Sequence, residues 1–255
     1  MMNNVILTKN LSVGYGSKVL LKNADFAVKQ KDIFVIMGGS GCGKSSLLKV
    51  LTGLMLPLEG SFDLFGVDFN RASYERQLEL RQKTGILYQS GALFSSMTLA
   101  ENVAMPLTQY SNYSKQTIDD LVHLKLSLVG LSGYEDYYPS EISGGMKKRA
   151  GLARALALDP QIVYFDEPSA GLDPVSSARL DELMLEINAN LGTTLVVVTH
   201  ELQSIFTIAN NSIYLDATTK TITGLGNPHV LLKNPPNERI AQFLTRGKEH
   251  EKRTE

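Results

Sequence analysis

Gly38-Gly39-Ser40-Gly41-Cys42-Gly43-Lys44-Ser45 decides the reading of this chain. The stretch fits G-x-x-x-x-G-K-[ST]. It follows an apolar run at 33–37 and opens a helical pattern in which Leu47, Leu48, Leu51 and Leu54 share a face. Glycines in such a loop let backbone N–H groups converge on an anion, and a helix N-terminus adds partial positive charge. Gly38, Gly39, Ser40, Gly41, Cys42, Gly43 and Ser46 would form the cradle. Lys44 would reach the β- and γ-phosphates, and the Ser45 hydroxyl would ligate Mg²⁺. The loop by itself announces a nucleoside triphosphate and no more. A chance lysine in a glycine-rich turn would not need a strand on one side and a helix on the other.

Two later apolar runs match the one before the loop. Residues 162–165 stop at Asp166-Glu167-Pro168, and residues 195–198 stop at Thr199-His200. Runs that are apolar on both faces belong in a parallel sheet covered by helices. Asp166 at a strand end can bind Mg²⁺, and Glu167 beside it can orient or deprotonate an attacking water. Between the two runs lies a helix with clear signals: Asp173 as cap, Pro174 at the first position, a stripe of Leu180, Leu183, Ile187 and Leu191, and Gly192 as stop.

Farther out, residues 5–7, 19–21, 24–28, 61–65 and 67–69 read as strands, with a turn at Tyr15 between Gly14 and Gly16. Residues 98–105, 115–129 and 146–158 read as helices. The charged tail 248–255 reads as disordered. Among 255 residues, 43% are hydrophobic and the net charge is −1, which sets aside a disordered chain and a basic nucleic-acid binder. No apolar run approaches the ~20 residues of a spanning helix, and the N-terminus lacks the layout of a signal peptide. One cysteine, Cys42, permits no internal disulfide and fits a reducing compartment.

Ile142-Ser143-Gly144-Gly145-Met146-Lys147-Lys148-Arg149 narrows the possibilities. It resembles the signature segment of ABC ATPases and lies 23 residues before Asp166. Other elements resemble that family in order: Tyr15 the aromatic that stacks on adenine, Gln89 the glutamine that contacts Mg²⁺ and water, residues 169–173 the D-loop, and His200 the histidine that holds the γ-phosphate. The resemblance spans roughly residues 3–230. It implies an α/β P-loop NTPase fold: a RecA-like parallel-sheet core, an N-terminal antiparallel β-subdomain and an inserted helical subdomain at about 90–160, within a domain 1–247. It also implies an ATP-hydrolysing dimer in which Ser143, Gly144 and Gly145 of one copy close on ATP held by Lys44 of the other. Glu167, His200 and Lys44 are then the catalytic residues; Ser45, Gln89 and Asp166 hold Mg²⁺. Two departures stand out: Met146 replaces the usual signature glutamine, and Gly39 stands where proline is common.

Within the family, Tyr88-Gln89-Ser90-Gly91-Ala92-Leu93-Phe94, with Met97-Thr98, Glu101-Asn102-Val103 and Pro106-Leu107, resembles the ATPases of Mla-type phospholipid transport and related MCE systems. The resemblance implies a membrane permease subunit, an MCE-domain lipid-binding protein and a STAS-domain protein as partners, no nucleic acid, and a peripheral place on the cytoplasmic face of the inner membrane. The chain stops soon after residue 245, so the added C-terminal regulatory domain of some importers is not expected. Several readings stay open. Residues 90–94 are either a permease-docking loop or a loop packed on its own helices. Cys42 is either a redox-sensitive thiol or a small residue in a crowded loop. Residues 242–244 touch either a neighbouring subunit or their own core. Another transported substrate, a soluble ABC protein acting on DNA or ribosomes, and a non-catalytic nucleotide sensor are the rival functions.

Overall fold

The computed structural model describes residues 4–246; the tail expected at 248–255 lies outside them. The chain runs as strands β1 (Asn4–Tyr15), β2 (Lys18–Ala24), β3 (Ala27–Lys29) and β4 (Ile33–Gly38), then helix α1 (Lys44–Leu51). Strands β5 (Glu59–Leu64) and β6 (Val67–Asp68), helix α2 (Tyr74–Gln82) and strand β7 (Thr84–Leu87) follow. Next come helices α3 (Leu99–Tyr110), α4 (Lys115–Leu128) and α5 (Gly144–Ala155), strand β8 (Ile162–Asp166), helix α6 (Pro174–Leu191) and strand β9 (Thr194–Val198). The chain continues through α7 (Leu202–Ile208), β10 (Asn211–Asp216), β11 (Thr221–Leu225), α8 (Pro228–Lys233) and α9 (Glu238–Thr245). It divides into two compact units, residues 1–77 with 196–255, and residues 78–195. The division falls within β9.

In the first unit, β1 pairs antiparallel with β2, β3 and β5, giving a sheet ordered β2-β1-β5-β6 with β3 also beside β1. Stacked rings of Phe62 and Phe69, 5.0 Å apart, sit in this part of the core. A second sheet runs β11-β10-β4-β9. Strand β4 is buried at every position and parallel to β10, as an apolar run covered on both faces requires. It delivers the chain to α1, whose Leu47, Leu48, Val50 and Leu51 are buried. Full burial of one such side chain contributes about 1.5–3 kcal/mol, so the strand and helix flanking the glycine loop are firmly seated. Helix α9 covers the other end of the sheet region, with Phe243 edge-on to Tyr214 and Arg239 bound to both oxygens of Asp216.

In the second unit, the strand order is β9-β8-β7, with β7 and β8 parallel. Helices α3, α4 and α5 pack on one another. Helix α6 starts and stops as its sequence dictates: Asp173 accepts from the amides of Val175 and Ser176, and Gly192 closes the end at φ 67°. No helix among the described residues is long and apolar enough to cross a membrane.

Several local expectations shift. Strand β1 runs on through Gly14 and Tyr15, where a turn was expected, because the antiparallel partner β2 continues its ladder to Lys18. Helix α1 ends at Leu51, so Leu54 is exposed, and Leu191 at the end of α6 is exposed too. Helix α5 starts at Gly144 rather than Met146, because Ser143 caps it. Helix α2 and the hairpin of β10 and β11 are elements beyond those the sequence pattern predicts.

Candidate functional site

The glycine loop is shaped by backbone rather than by side chains. Gly38, Gly41 and Gly43 adopt φ of 150°, 75° and 100°. A Cβ at Gly38 would lie 2.5 Å from the Leu215 carbonyl oxygen and 2.8 Å from the Cys42 sulfur, so the first glycine is required by space as well as conformation. Gly43 caps α1 in the left-handed region and leaves the helix amides facing the loop. Gly39, Ser40, Gly41 and Ser45 are exposed, while Cys42, Gly43, Lys44 and Ser46 are buried. The Lys44 ammonium donates to the carbonyl oxygens of Gly38 at 2.9 Å and Gly39 at 3.1 Å, which holds it over the loop. Burial pushes the Cys42 thiol up, away from the thiolate form that redox chemistry needs, which favours the crowded-loop reading of this residue.

Tyr15 lies at the end of β1, half-exposed, and its hydroxyl accepts a hydrogen bond from Ser46 at 3.3 Å. That bond favours the phenolate, so the hydroxyl titrates below its usual range. The structure thus brings Tyr15 to the start of α1. His200 follows β9 in the same unit with its side chain 56% exposed; its Nε2 lies 3.7 Å from Glu201, itself 4.0 Å from Arg246.

The remaining candidates fall in the second unit. Asp166 ends β8, and Glu167 follows with a left-handed φ of 48°. The turn after it is held locally: the Ala170 amide donates to Glu167 and the Leu172 amide to Ser169. Ser143 caps α5 by accepting from the Met146 amide at 3.3 Å, leaving Gly144 exposed at the helix tip. Beside it lies a cavity of about 270 Å³ lined by Ser143, Gly145, Met146, Arg149, Leu172 and Val175 among others. Asp173, capping α6, accepts from the Ser176 hydroxyl at 2.6 Å, which holds its carboxyl below the usual carboxylate range. Gln89 is exposed just past β7. The loop after it carries consecutive left-handed residues, Gly91 at 77° and Ala92 at 48°.

Comparison with known proteins identifies the family. The profile of a family described as ABC transporter matches residues 21–170, more than half of the chain. The chain belongs to that family. An intermembrane phospholipid transport system ATP-binding protein, MlaF of Haemophilus influenzae, is 39% identical over 244 residues, 96% of this chain and 91% of the relative. A probable ribonucleotide transport ATP-binding protein of Mycobacterium leprae is 44% identical over 210 residues, 82% of this chain. The chain spans 60% of that mycobacterial relative's length. Among solved structures, a dimeric ATP-binding cassette in a post-hydrolysis state with ADP and Pi aligns with a TM-score of 0.78 at 27% identity, covering 87% of this chain and 98% of that one.

This ABC chain also contains polar side chains whose positioning contacts the sequence does not announce. Asn102, fully buried on α3, accepts from the Phe94 amide and donates to the carbonyls of Phe94, Met97 and Thr98. Arg154 on α5 donates to the carbonyls of Ala92 at 2.9 Å and Gly91 at 3.1 Å and lies over the Phe94 ring. Arg149 donates to the carbonyls of Val129 and Gly130. Lys148, also on α5, is buried and donates to the carbonyls of Pro168 and Ala170. The only sequence signal for these is an amphipathic position filled by a cation or amide, which ordinarily reads as a solvated face. Phe94 itself is 47% exposed although its loop is pinned to α3 and α5, so an apolar tip stands out from a fixed backbone.

Proposed function

We propose that this chain is the ATP-hydrolysing subunit of an ABC transporter that moves phospholipids or similar lipids between bacterial membranes. The observation that carries the lipid reading is similarity along 96% of the chain to a relative named for intermembrane phospholipid transport. The chain works as a dimer with a second copy of itself. It docks on a membrane permease subunit through the loop that presents Phe94, alongside MCE-domain and STAS-domain partners, at the cytoplasmic face of the inner membrane. Residues 90–160 serve as its helical subdomain.

In this reading, the loop at 38–45 binds the triphosphate through its amides, and Lys44 leaves its resting acceptors for the β- and γ-phosphates. Tyr15, oriented by Ser46, stacks on the adenine. Ser143, Gly144 and Gly145 of the second copy complete the γ-phosphate site. Glu167 takes a proton from the attacking water, and His200 donates a hydrogen bond to the transferring phosphoryl group. Ser45, Gln89 and Asp166 offer only hard oxygen donors, which fits Mg²⁺, and Ser45 and Gln89 are exposed to receive it. When bound, that ion neutralises charge on the phosphate oxygens. Tighter ATP binding by the closed dimer than by the open one supplies the drive that switches the permease.

The test is purification of the chain with its membrane subunits, followed by assay of Mg²⁺-dependent ATP hydrolysis and identification of bound lipid. Hydrolysis together with phospholipid is the expected result. No hydrolysis by the intact complex would reject the enzymatic reading. A second reading, with a ribonucleotide as cargo, is favoured by the name of the mycobacterial relatives, and a ribonucleotide held by the complex in place of lipid would establish it.

A further inference from the structure

Glu167 has an unusual backbone for a residue with a side chain. Its φ of 48° places it in the left-handed region, a conformation that persists where neighbouring contacts over-determine it. The following carbonyls show how. Those of Glu167 and Ser169 accept from the amides of Ala170 and Leu172. The alternate ones, of Pro168 and Ala170, both accept from the Lys148 ammonium at 2.5 Å. Local backbone thus holds one pair of carbonyls, and one distant side chain holds the other.

Lys148 is only 5% exposed. Burial pushes its pKa down, and the negative charge of Glu167 pushes it back up. A buried ammonium is costly unless hydrogen-bonded and faced by opposite charge, and apolar residues of similar volume often replace such groups with no loss of stability. A lysine here therefore invites a role that methionine could not fill. Its position suggests one: Lys148 lies on α5 one turn beyond the segment 143–145, which the proposed function assigns to the partner's γ-phosphate.

We propose that Lys148 is a positioning residue that fixes the turn carrying Glu167 to helix α5, so that placement of the segment 143–145 governs the aim of the Glu167 carboxylate in the same chain. Because those two elements serve different ATP molecules of the dimer, Lys148 links the two hydrolytic sites. This rests on the reading of Glu167 as base.

The experiment is a double-mutant cycle in the full-length chain within its transporter complex. Lys148→Met is measured with Glu167 intact and in the Glu167→Gln background. With Glu167 present, kcat is expected to fall about ten- to a hundredfold, the scale of a group displaced by about 1 Å. KM for ATP is expected to change by less than about threefold, since nucleotide contacts are untouched. In the Glu167→Gln background, the residual single-turnover rate is expected to stay the same, because the residue being aimed is gone. A fall of equal size in both backgrounds, or an unchanged kcat in Lys148→Met, would overturn the proposal. If Lys148→Met melts too low to assay, Lys148→Gln goes through the same cycle with the same deciding outcomes. Failure of the reading beneath it would show separately, as wild-type hydrolysis that Glu167→Gln leaves at full rate.

Discussion

The loop at 38–45 and the turn at 166–170, both of which the proposed function assigns to phosphate chemistry, are held by opposite means. In the first, left-handed backbone falls on Gly38, Gly41 and Gly43, which adopt it freely. In the second it falls on Glu167, and in the loop after Gln89 it falls on Ala92, residues that carry a Cβ against it. Each of these is backed by a long cation from α5: Lys148 reaches the carbonyls just past Glu167, and Arg154 reaches those of Gly91 and Ala92. A glycine loop sets its shape through its own sequence. At Glu167 and Ala92, where side chains occupy the left-handed positions, a second element, α5, holds the loop.

The sharpest way to break this comparison is at Glu167 itself. Glu167→Gln keeps the backbone and removes the base, so kcat for ATP hydrolysis should fall by about 10²–10⁴ while ATP still binds. A steady-state ATPase assay beside a nucleotide-binding titration checks both halves. Near-normal turnover would leave the strained turn without a catalytic purpose. The matching change in the glycine loop is Lys44→Ala. Loss of a charged hydrogen bond to phosphate, about 1.5–3 kcal/mol, should weaken ATP binding by about 10- to 100-fold. Binding measured by titration of a fluorescent ATP analogue decides this, and unchanged affinity would count against the loop as the triphosphate site.

The contrast also explains what could be read from the sequence. The glycine loop, the strand before it, the helix after it, and α6 with its cap at Asp173 and stop at Gly192 were legible, because local chemistry alone specifies them. Helix α2 was not: of its residues only Leu80 is buried, so it offers no apolar stripe to read. Tyr15 read as part of a turn because flanking glycines suggest one, while the ladder to β2 is a long-range matter. The candidate site residues are read from motifs, where residue type and spacing carry the signal. Lys148 and Asn102 stand inside quoted segments and Arg154 in none, yet the contacts of all three carry no sequence signal, for one physical reason. Each is a polar side chain whose acceptors are backbone carbonyls, and carbonyls carry no sequence signal. For Lys148 and Arg154 those acceptors are also far away in the chain.

Asn102 tests that dependence on stability rather than on chemistry. Asn102→Ala would leave the Phe94 amide and three carbonyls without their side-chain partner in a fully buried setting. The expected loss is about 2–3 kcal/mol, or a fall in Tm of roughly 5–10 °C for a chain of this size. Thermal unfolding by circular dichroism measures it. A fall of less than about 1 kcal/mol would show that the loop 94–98 is held by packing instead.

The smallest effect discriminates most finely between the two kinds of loop. Ala92 is exposed and left-handed, so Ala92→Gly removes a Cβ that opposes the conformation and contributes no buried surface. Relief of a left-handed alanine is worth about 1–2 kcal/mol, while the extra freedom of glycine in the unfolded chain costs about 0.5–1 kcal/mol. The net expectation is a gain of about 0.5 kcal/mol, a rise in Tm of roughly 1–2 °C. If strain at Ala92 is what Arg154 restrains, the same substitution should also soften the penalty of Arg154→Met. The glycine would hold by its own preference the shape that the arginine otherwise imposes. Strictly additive melting temperatures for the pair would show that Arg154 supports Phe94 rather than the backbone at 91–92.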